Sequence, residues 1–406
     1  VELVGCEPFG AHPLDQLSKP NHIARLRSLA VLSGFDDYPV HQATVPVNET
    51  STSDINFYDR YFFNGYTRDG AVYFAWAMGL YPNRHVADAA FSVVHAGEQS
   101  SLFTSQRAPA DRRDATHLGP ISVEIVDPMR VLRLTVDDVA HGMKADLTFT
   151  ARSLAVEEPH YWWRVGVRTI FDYTRFTQFG TWSGWIDIDE VRHVIESETT
   201  WGSRDRSWGI RPTGESVPTG APVAEPQFFW LWAPVNFPSL STHFDSNEYG
   251  DGRRWHEVGA IVRTDGTAPE AMRLVDYRVA WRPGTRWAQH FEYDLVDWRD
   301  QLHTVKLEPR FEFQMSGLGY GHPEFGHGMW KGESVVAAER IQLPVTEPCT
   351  RQHVHVQAVC DATYTAPDGS KENGMGILEQ LAIGSHPTGL AGILDPFTPR
   401  TVTPRG

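Results

Sequence analysis

The stretch VLRLTVDDVAHGMKADLTFTAR, residues 131–152, decides the fold class. Ala145, Leu147, Phe149 and Ala151 alternate with Asp146, Thr148, Thr150 and Arg152, and just before them Leu132, Leu134 and Val136 alternate with Val131, Arg133 and Thr135. An apolar period of two turns one row of side chains to a core and the other to water, which is a half-buried β-strand. His141-Gly142 between the runs predicts a hairpin or short loop. Upstream, Asp69-Gly70 separates residues 61–66 from 71–77, a strong hairpin signal. Downstream, apolar runs recur at 162–170, 228–232, 258–262, 274–281, 287–296, 305–315, 334–343 and 353–364. Such a series of short strands predicts a mostly β chain of barrels or sandwiches with few short helices.

A chain of 406 residues exceeds one ordinary core, at roughly 100–200 residues per domain. Residues 1–50 read as an arm with one short helix, where Ile23, Leu26, Leu29 and Ala30 fall at helical spacing between His22 and Leu32. The proline-rich stretch Pro212–Pro226 is the candidate linker, giving β domains over 51–215 and 216–406. Hydrophobic residues make up 41% and charged residues 21%, a globular balance. No apolar run approaches the roughly 18 residues of a membrane helix. No basic, then apolar, leader is visible from Val1, and three cysteines (Cys6, Cys349, Cys360) build no disulfide framework, so a reducing cytoplasm is expected. With 36 Lys plus Arg against 51 Asp plus Glu, the net charge of −15 disfavours nucleic acid and anionic membranes as partners. Fourteen Trp, 13 Tyr and 21 Phe suit strands and also walls for apolar ligands, so a hydrophobic small molecule is the expected partner of a monomer or homodimer.

Three segments carry candidate chemistry. In Trp201-Gly202-Ser203-Arg204-Asp205-Arg206-Ser207-Trp208-Gly209-Ile210-Arg211-Pro212, an extended backbone puts Arg204, Arg206 and Trp208 on one face and Asp205 on the other. An Asp beside fixed guanidiniums is expected to stay ionised and orient partners, or to clamp structure. The loop from Gly317 to Trp330 holds five glycines, and its Tyr320, His322, Glu324 and His327 suit a shaped pocket, a structural corner or a metal site. Pro323 and the glycines forbid the helix that a zinc motif with His at i and i+4 needs, so no metal is expected. In the third segment Glu379 and Gln380 sit inside the apolar run from Gly374 to Leu381, followed by His386. A carboxylate there is either paired or protonated, and protonated it could act as a general acid. His353, His355 and Gln357 share one strand face, expected to be solvated. Phosphate-loop, dinucleotide and nucleophile-elbow motifs are absent from the sequence.

Trp201, Asp205, Ser207, Trp208 and Gly209 resemble the signature of the AttH-like and carotenoid 1,2-hydratase (hydroxyneurosporene synthase) superfamily, a Trp followed by Asp-His-x-Trp-Gly. The loop at 319–330 and the segment 374–386 resemble the C-terminal half of bacterial relatives. The resemblance implies two consecutive lipocalin-like β domains, a hydrophobic cavity near their junction, and carotenoid, terpenoid or polyene ligands. It also implies hydration without a cofactor, or in fungal relatives the guiding of cycloadditions. The chain departs from the pattern twice. Arg206 replaces the motif histidine, and Trp230-Leu231-Trp232 stands where hydratases carry Tyr-x-Asp. Arginine is no acid near neutral pH, so the fold transfers better than the reaction.

The leading expectation is a cofactor-free lyase or isomerase acting on an apolar isoprenoid-like or polycyclic substrate by hydration, dehydration, isomerisation or cyclisation. Glu379, His327 or His322 would supply the proton, Asp205 and Arg206 would fix geometry, and Trp201, Trp208, Trp230, Trp232, Tyr320 and His386 would contact substrate. The alternatives are a non-catalytic carrier of a hydrophobic metabolite and a metal-dependent lyase using His322, Glu324 and His327.

Overall fold

A computed structural model describes residues 37–38, 50–108, 116–215, 221 and 225–399. The expected helix at 22–32 and Cys6 lie outside these residues, as does part of the 212–226 stretch. The described chain is mostly β. Two antiparallel sheets, one of 14 strands and one of nine, curl into half-barrels, and the helical elements among the described residues are 3-10 turns at Pro82–Arg84 and Met315–Leu318. No described helix is long and apolar enough to cross a membrane.

Both predicted hairpins form. Gly70 N donates to Thr67 O at 2.8 Å in the turn between Phe57–Thr67 and Val72–Tyr81, and Gly142, at φ 69°, turns Val131–Asp138 into Met143–Ala151. Ala145, Leu147 and Phe149 are buried while Lys144, Asp146 and Thr148 are half-buried, as alternation requires. The strand Ser334–Gln342, from late in the chain, pairs with Glu98–Arg107 at the edge of the first sheet. Cys349 and Cys360 are free thiols, Cys360 within the second sheet's core.

Each sheet has an apolar inner face of its own, and a third apolar layer joins the sheets. Alternation along single strands builds all three. Tyr61 and Phe63 enter the first sheet's interior while Phe62 and Tyr66 enter the layer between sheets. In Phe228–Asn236, Phe229, Leu231 and Ala233 fill the second sheet's interior and Trp232 faces the first sheet. Within the first sheet Gly65, Gly202 and Gly180 stand side by side on three adjacent strands. A Cβ at Gly65 or Gly180 would overlap the ring of Phe74 or Phe149, and at Gly202 it would overlap Asn64 O and the Trp182 indole. This row lets three aromatic rings lie flat on the sheet, a close approach that only glycine permits.

Candidate active site between the sheets

The Thr200–Ile210 strand runs between Phe57–Thr67 and Arg168–Ile188, with Asp205 in register with Phe62 on one side and Thr177 on the other. Its alternation separates the charges. Arg204, fully buried in the first sheet's interior, pairs with Asp37 and donates from Nε to Gln178 at 2.8 Å. Arg206, also fully buried, pairs with Asp59 and lies 3.9 Å over the Tyr61 ring. Trp208 is half-buried and meets Phe176, the ring that Arg204 covers. These three side chains therefore face away from Asp205.

Asp205 faces the layer between the sheets. No described residue donates a hydrogen bond to its carboxylate, and part of its surface stays accessible. Burial pushes its pKa up to about 7, with Glu158 and Glu379 adding to the rise and Arg175 and Arg211 opposing it. Asp205 is thus less readily ionised than the sequence leads one to expect, because its sequence neighbours point elsewhere and desolvation dominates.

A ring of side chains closes near this carboxyl. Arg175 lies over Trp230 at 5.6 Å and over Tyr161 at 4.9 Å. Tyr161 stacks on Tyr173 at 4.3 Å, and Tyr173 meets Tyr58 edge-on at 6.1 Å. Arg211 lies over Tyr58 at 4.5 Å and over Tyr320 at 5.6 Å. Tyr320 meets His355 at 4.9 Å, and His355 returns to Trp230 at 5.9 Å. Arg175, Arg211, Tyr173, Trp230 and Tyr320 are among the ring members near the site, and all of these but Arg175 keep accessible surface.

Behind Arg175 lies a buried charge cluster. Arg175 donates to Glu158 at 2.6 Å and also to Asp245, while the Tyr161 hydroxyl lies 2.6 Å from both carboxylates. Thr177 donates to Glu158 at 2.7 Å and Trp230 Nε1 to Asp245 at 3.2 Å. Despite its burial, Glu158 is held well below the ordinary range by Arg175 and His243, whereas burial pushes Asp245 up to about 6. His256 stacks on Tyr161 at 3.6 Å, and burial drops its pKa to about 3, so it is neutral. Ligand-type atoms of Glu158, Asp245 and His256 lie within 4.8 Å of one another. The Arg175 guanidinium already bridges the two carboxylates, which balances the charge a metal would otherwise supply.

The other predicted residues divide. Glu379 faces the layer and is tied: His355 Nε2 lies 2.7 Å from one oxygen and Gln357 Nε2 donates to the other at 2.6 Å. His355 and Gln357 are buried there, so the expected solvated face is instead an interface between sheets. His327 Nε2 donates to Leu318 O at 2.9 Å, which leaves Nδ1 to accept from Arg211 Nη2 at 3.2 Å. Burial, with Arg60 and Arg211 close by, holds His327 well below the usual imidazole range. Trp230 and Trp232 face the layer, Trp232 edge-on to Phe62 at 6.1 Å. Trp201 sits farther along the strand between Arg68 and Arg152. His322 packs on Phe103, approaches Glu339 at 2.9 Å and accepts at Nδ1 from the Glu324 and Phe325 amides, so it braces its own loop. With both nitrogens of His322 and of His327 engaged, these two and Glu324 form no ligand set. His386 stacks on Phe229 at 3.7 Å inside the second sheet.

Sequence reading missed Tyr58, Glu158, Tyr161, Tyr173, Arg175 and Asp245. The one available signal was Tyr173-x-Arg175-x-Thr177, a polar row at period two opposite Phe176. A separate cleft of about 330 Å³, lined in part by Val94, His95, Trp287, Phe311 and Leu343, contains none of the predicted site residues.

Residues 32–391 match a family of unknown function, DUF8625. No curated protein matches the sequence. Among solved structures, a putative AttH from Nitrosomonas europaea aligns with a TM-score of 0.51 at 14% identity, over 84% of this chain and 97% of that one. Kievitone hydratase from Nectria haematococca aligns at 0.48 with 9% identity, over 80% and 88% of the two chains, and CghA at 0.47 with 10%, over 85% and 95%. The AttH alignment bears out the resemblance read from the sequence at the level of the fold.

Proposed function

The chain belongs to the DUF8625 family, and for this member we propose cofactor-free acid–base catalysis on a largely apolar substrate in the layer between the sheets, with Asp205 as proton donor. The observation that carries this reading is a carboxyl that receives no hydrogen bond, has a pKa near 7 and stands beside a ring of aromatic faces. A general acid works best when its pKa lies near the operating pH. Transfer of the Asp205 proton to an alkene carbon leaves a carbocation and a carboxylate. Aromatic faces and the newly formed Asp205 carboxylate stabilise that cation. Water then adds to the cation and returns a proton to Asp205, which completes a hydration. Loss of a neighbouring proton to the carboxylate gives an isomer instead, and attack by a second double bond closes a ring and leaves a new cation, which loses a proton to the carboxylate. Glu379, His355 and Gln357 hold one wall, and His327 orients Arg211.

The test is turnover of a panel of isoprenoid and polyene metabolites in deuterated water, followed by mass spectrometry. A substrate should gain one deuterium at carbon, and Asp205→Asn should cut the rate by about 100-fold or more. Retention of activity within a few-fold in that variant overturns the assignment.

A carrier is the second reading. The 330 Å³ cleft has small-ligand size, and its arginines Arg282 and Arg310 are already paired with Glu312 and Asp361, so it offers walls without a free acid. Ligand retained unchanged by the wild-type protein favours this reading.

A further inference from the structure

Arg211 differs from the other arginines facing or flanking the site. Arg60 pairs with Asp88 at 3.3 Å, Arg175 with Glu158 and Asp245, Arg204 with Asp37 and Arg206 with Asp59. No described carboxylate lies within ion-pair distance of Arg211, and its Nε, like those of Arg60 and Arg206, is buried without a hydrogen-bond partner. Its one side-chain hydrogen bond goes to His327 Nδ1, and its guanidinium otherwise meets the faces of Tyr58 and Tyr320.

His327 cannot supply the missing negative charge. Its Nε2–H is committed to Leu318 O, so the ring is a neutral acceptor that aims Arg211 without balancing it. Tyr58, raised to about 12 by burial, stays a neutral phenol and offers only its quadrupole. Arg211 is half-buried, and its buried Nε carries an uncompensated desolvation cost that a bound anion would offset. The planar fork of arginine suits two oxygens at once.

We propose that Arg211 is the anion subsite of the inter-sheet layer and binds a carboxylate, enolate or phenolate oxygen of the substrate, which makes the substrate an apolar acid and not a plain hydrocarbon. This rests on the reading of the inter-sheet layer as the reaction site and names its substrate class. Arg211 follows the Asp205 strand directly, and both residues act on the Tyr58 phenol, so a molecule anchored on Arg211 presents its apolar body to Asp205. The bound anion also favours the protonated form of Asp205, since a nearby negative charge disfavours a second one.

The test compares two matched pairs of probes, 2-naphthoate against 2-naphthalenemethanol and farnesoate against farnesol, by calorimetry and tryptophan fluorescence at pH 7.5 in low salt. The wild-type protein should bind each carboxylate about 10-fold or more tightly than its alcohol, as a charge-assisted bidentate contact predicts. Arg211→Gln should abolish that preference while alcohol affinity changes less than about twofold, and Arg211→Lys should keep part of it. Near-UV circular dichroism confirms that each variant is folded. Equal affinity for acid and alcohol overturns the proposal, as does failure of both carboxylates to bind the wild type or a preference that survives Arg211→Gln. Asp205→Asn separates the two readings, because it should leave the carboxylate preference in place whether or not Asp205 proves to be the proton donor.

Discussion

The carboxylate of Glu379 lies 2.7 Å from Nε2 of His355, across two strands paired in register at Gln357 and Glu379. Gln357 donates to its other oxygen, and the Tyr73 hydroxyl donates to Gln357 in turn. Glu379 is therefore the hub of a closed polar network in the sheet interface, which is why the proposed acid is Asp205.

Glu379→Ala should remove two hydrogen bonds and leave His355 and Gln357 unsatisfied in a buried layer. The expected cost is about 2–4 kcal/mol, read as a lower urea midpoint at unchanged slope. Glu379→Gln keeps the shape and one acceptor, and should lose about half as much.

Asp205 gives a signature in pH. Its folded-state pKa of about 7 lies above the unfolded carboxyl value of about 3.9, so between these values the folded state binds more protons. Stability attributable to this group should fall as pH rises from about 4 to about 7, and stay at its lower level above that. Asp205→Asn should flatten this part of the profile and stabilise the protein at pH 8 relative to wild type. Denaturant titrations from pH 5 to pH 8 check the sign. The rate of the proposed reaction should also drop above pH 7 as the donor loses its proton.

Arg175→Met should be strongly destabilising. It strands Glu158 and Asp245, both without side-chain exposure, in an uncompensated state costing about 3–5 kcal/mol. Adding Glu158→Gln and Asp245→Asn should recover much of the loss in equilibrium unfolding. No recovery would mean that packing, not charge, holds this region.

Gly202→Ala tests the glycine row. The new methyl would overlap Asn64 O and Trp182 Nε1, and Trp182 now donates to that oxygen at 2.8 Å. Overpacking of this kind costs about 1–3 kcal/mol, and loss of the indole hydrogen bond adds to it. The readout is a lower melting temperature with a changed near-UV tryptophan spectrum.

The alternation of residues 131–152 was enough to establish a β protein, and that of 200–210 to put Asp205 opposite Arg204 and Arg206. Both follow from the period of an extended backbone, which depends only on adjacent residues. The proton affinity of Asp205 was not legible, because desolvation and charge sum over neighbours drawn from residues 58, 158, 175, 211 and 379. For the same reason the sequence left Glu379 open between a paired and a protonated carboxyl until strand pairing brought His355 and Gln357 to it, and it assigned Arg211 no role until the fold set it against Tyr58 and Tyr320 with no described carboxylate in ion-pair reach. A strand's faces are local properties of the chain. What lies opposite each face, and how dry it is there, exists only once the sheets have packed.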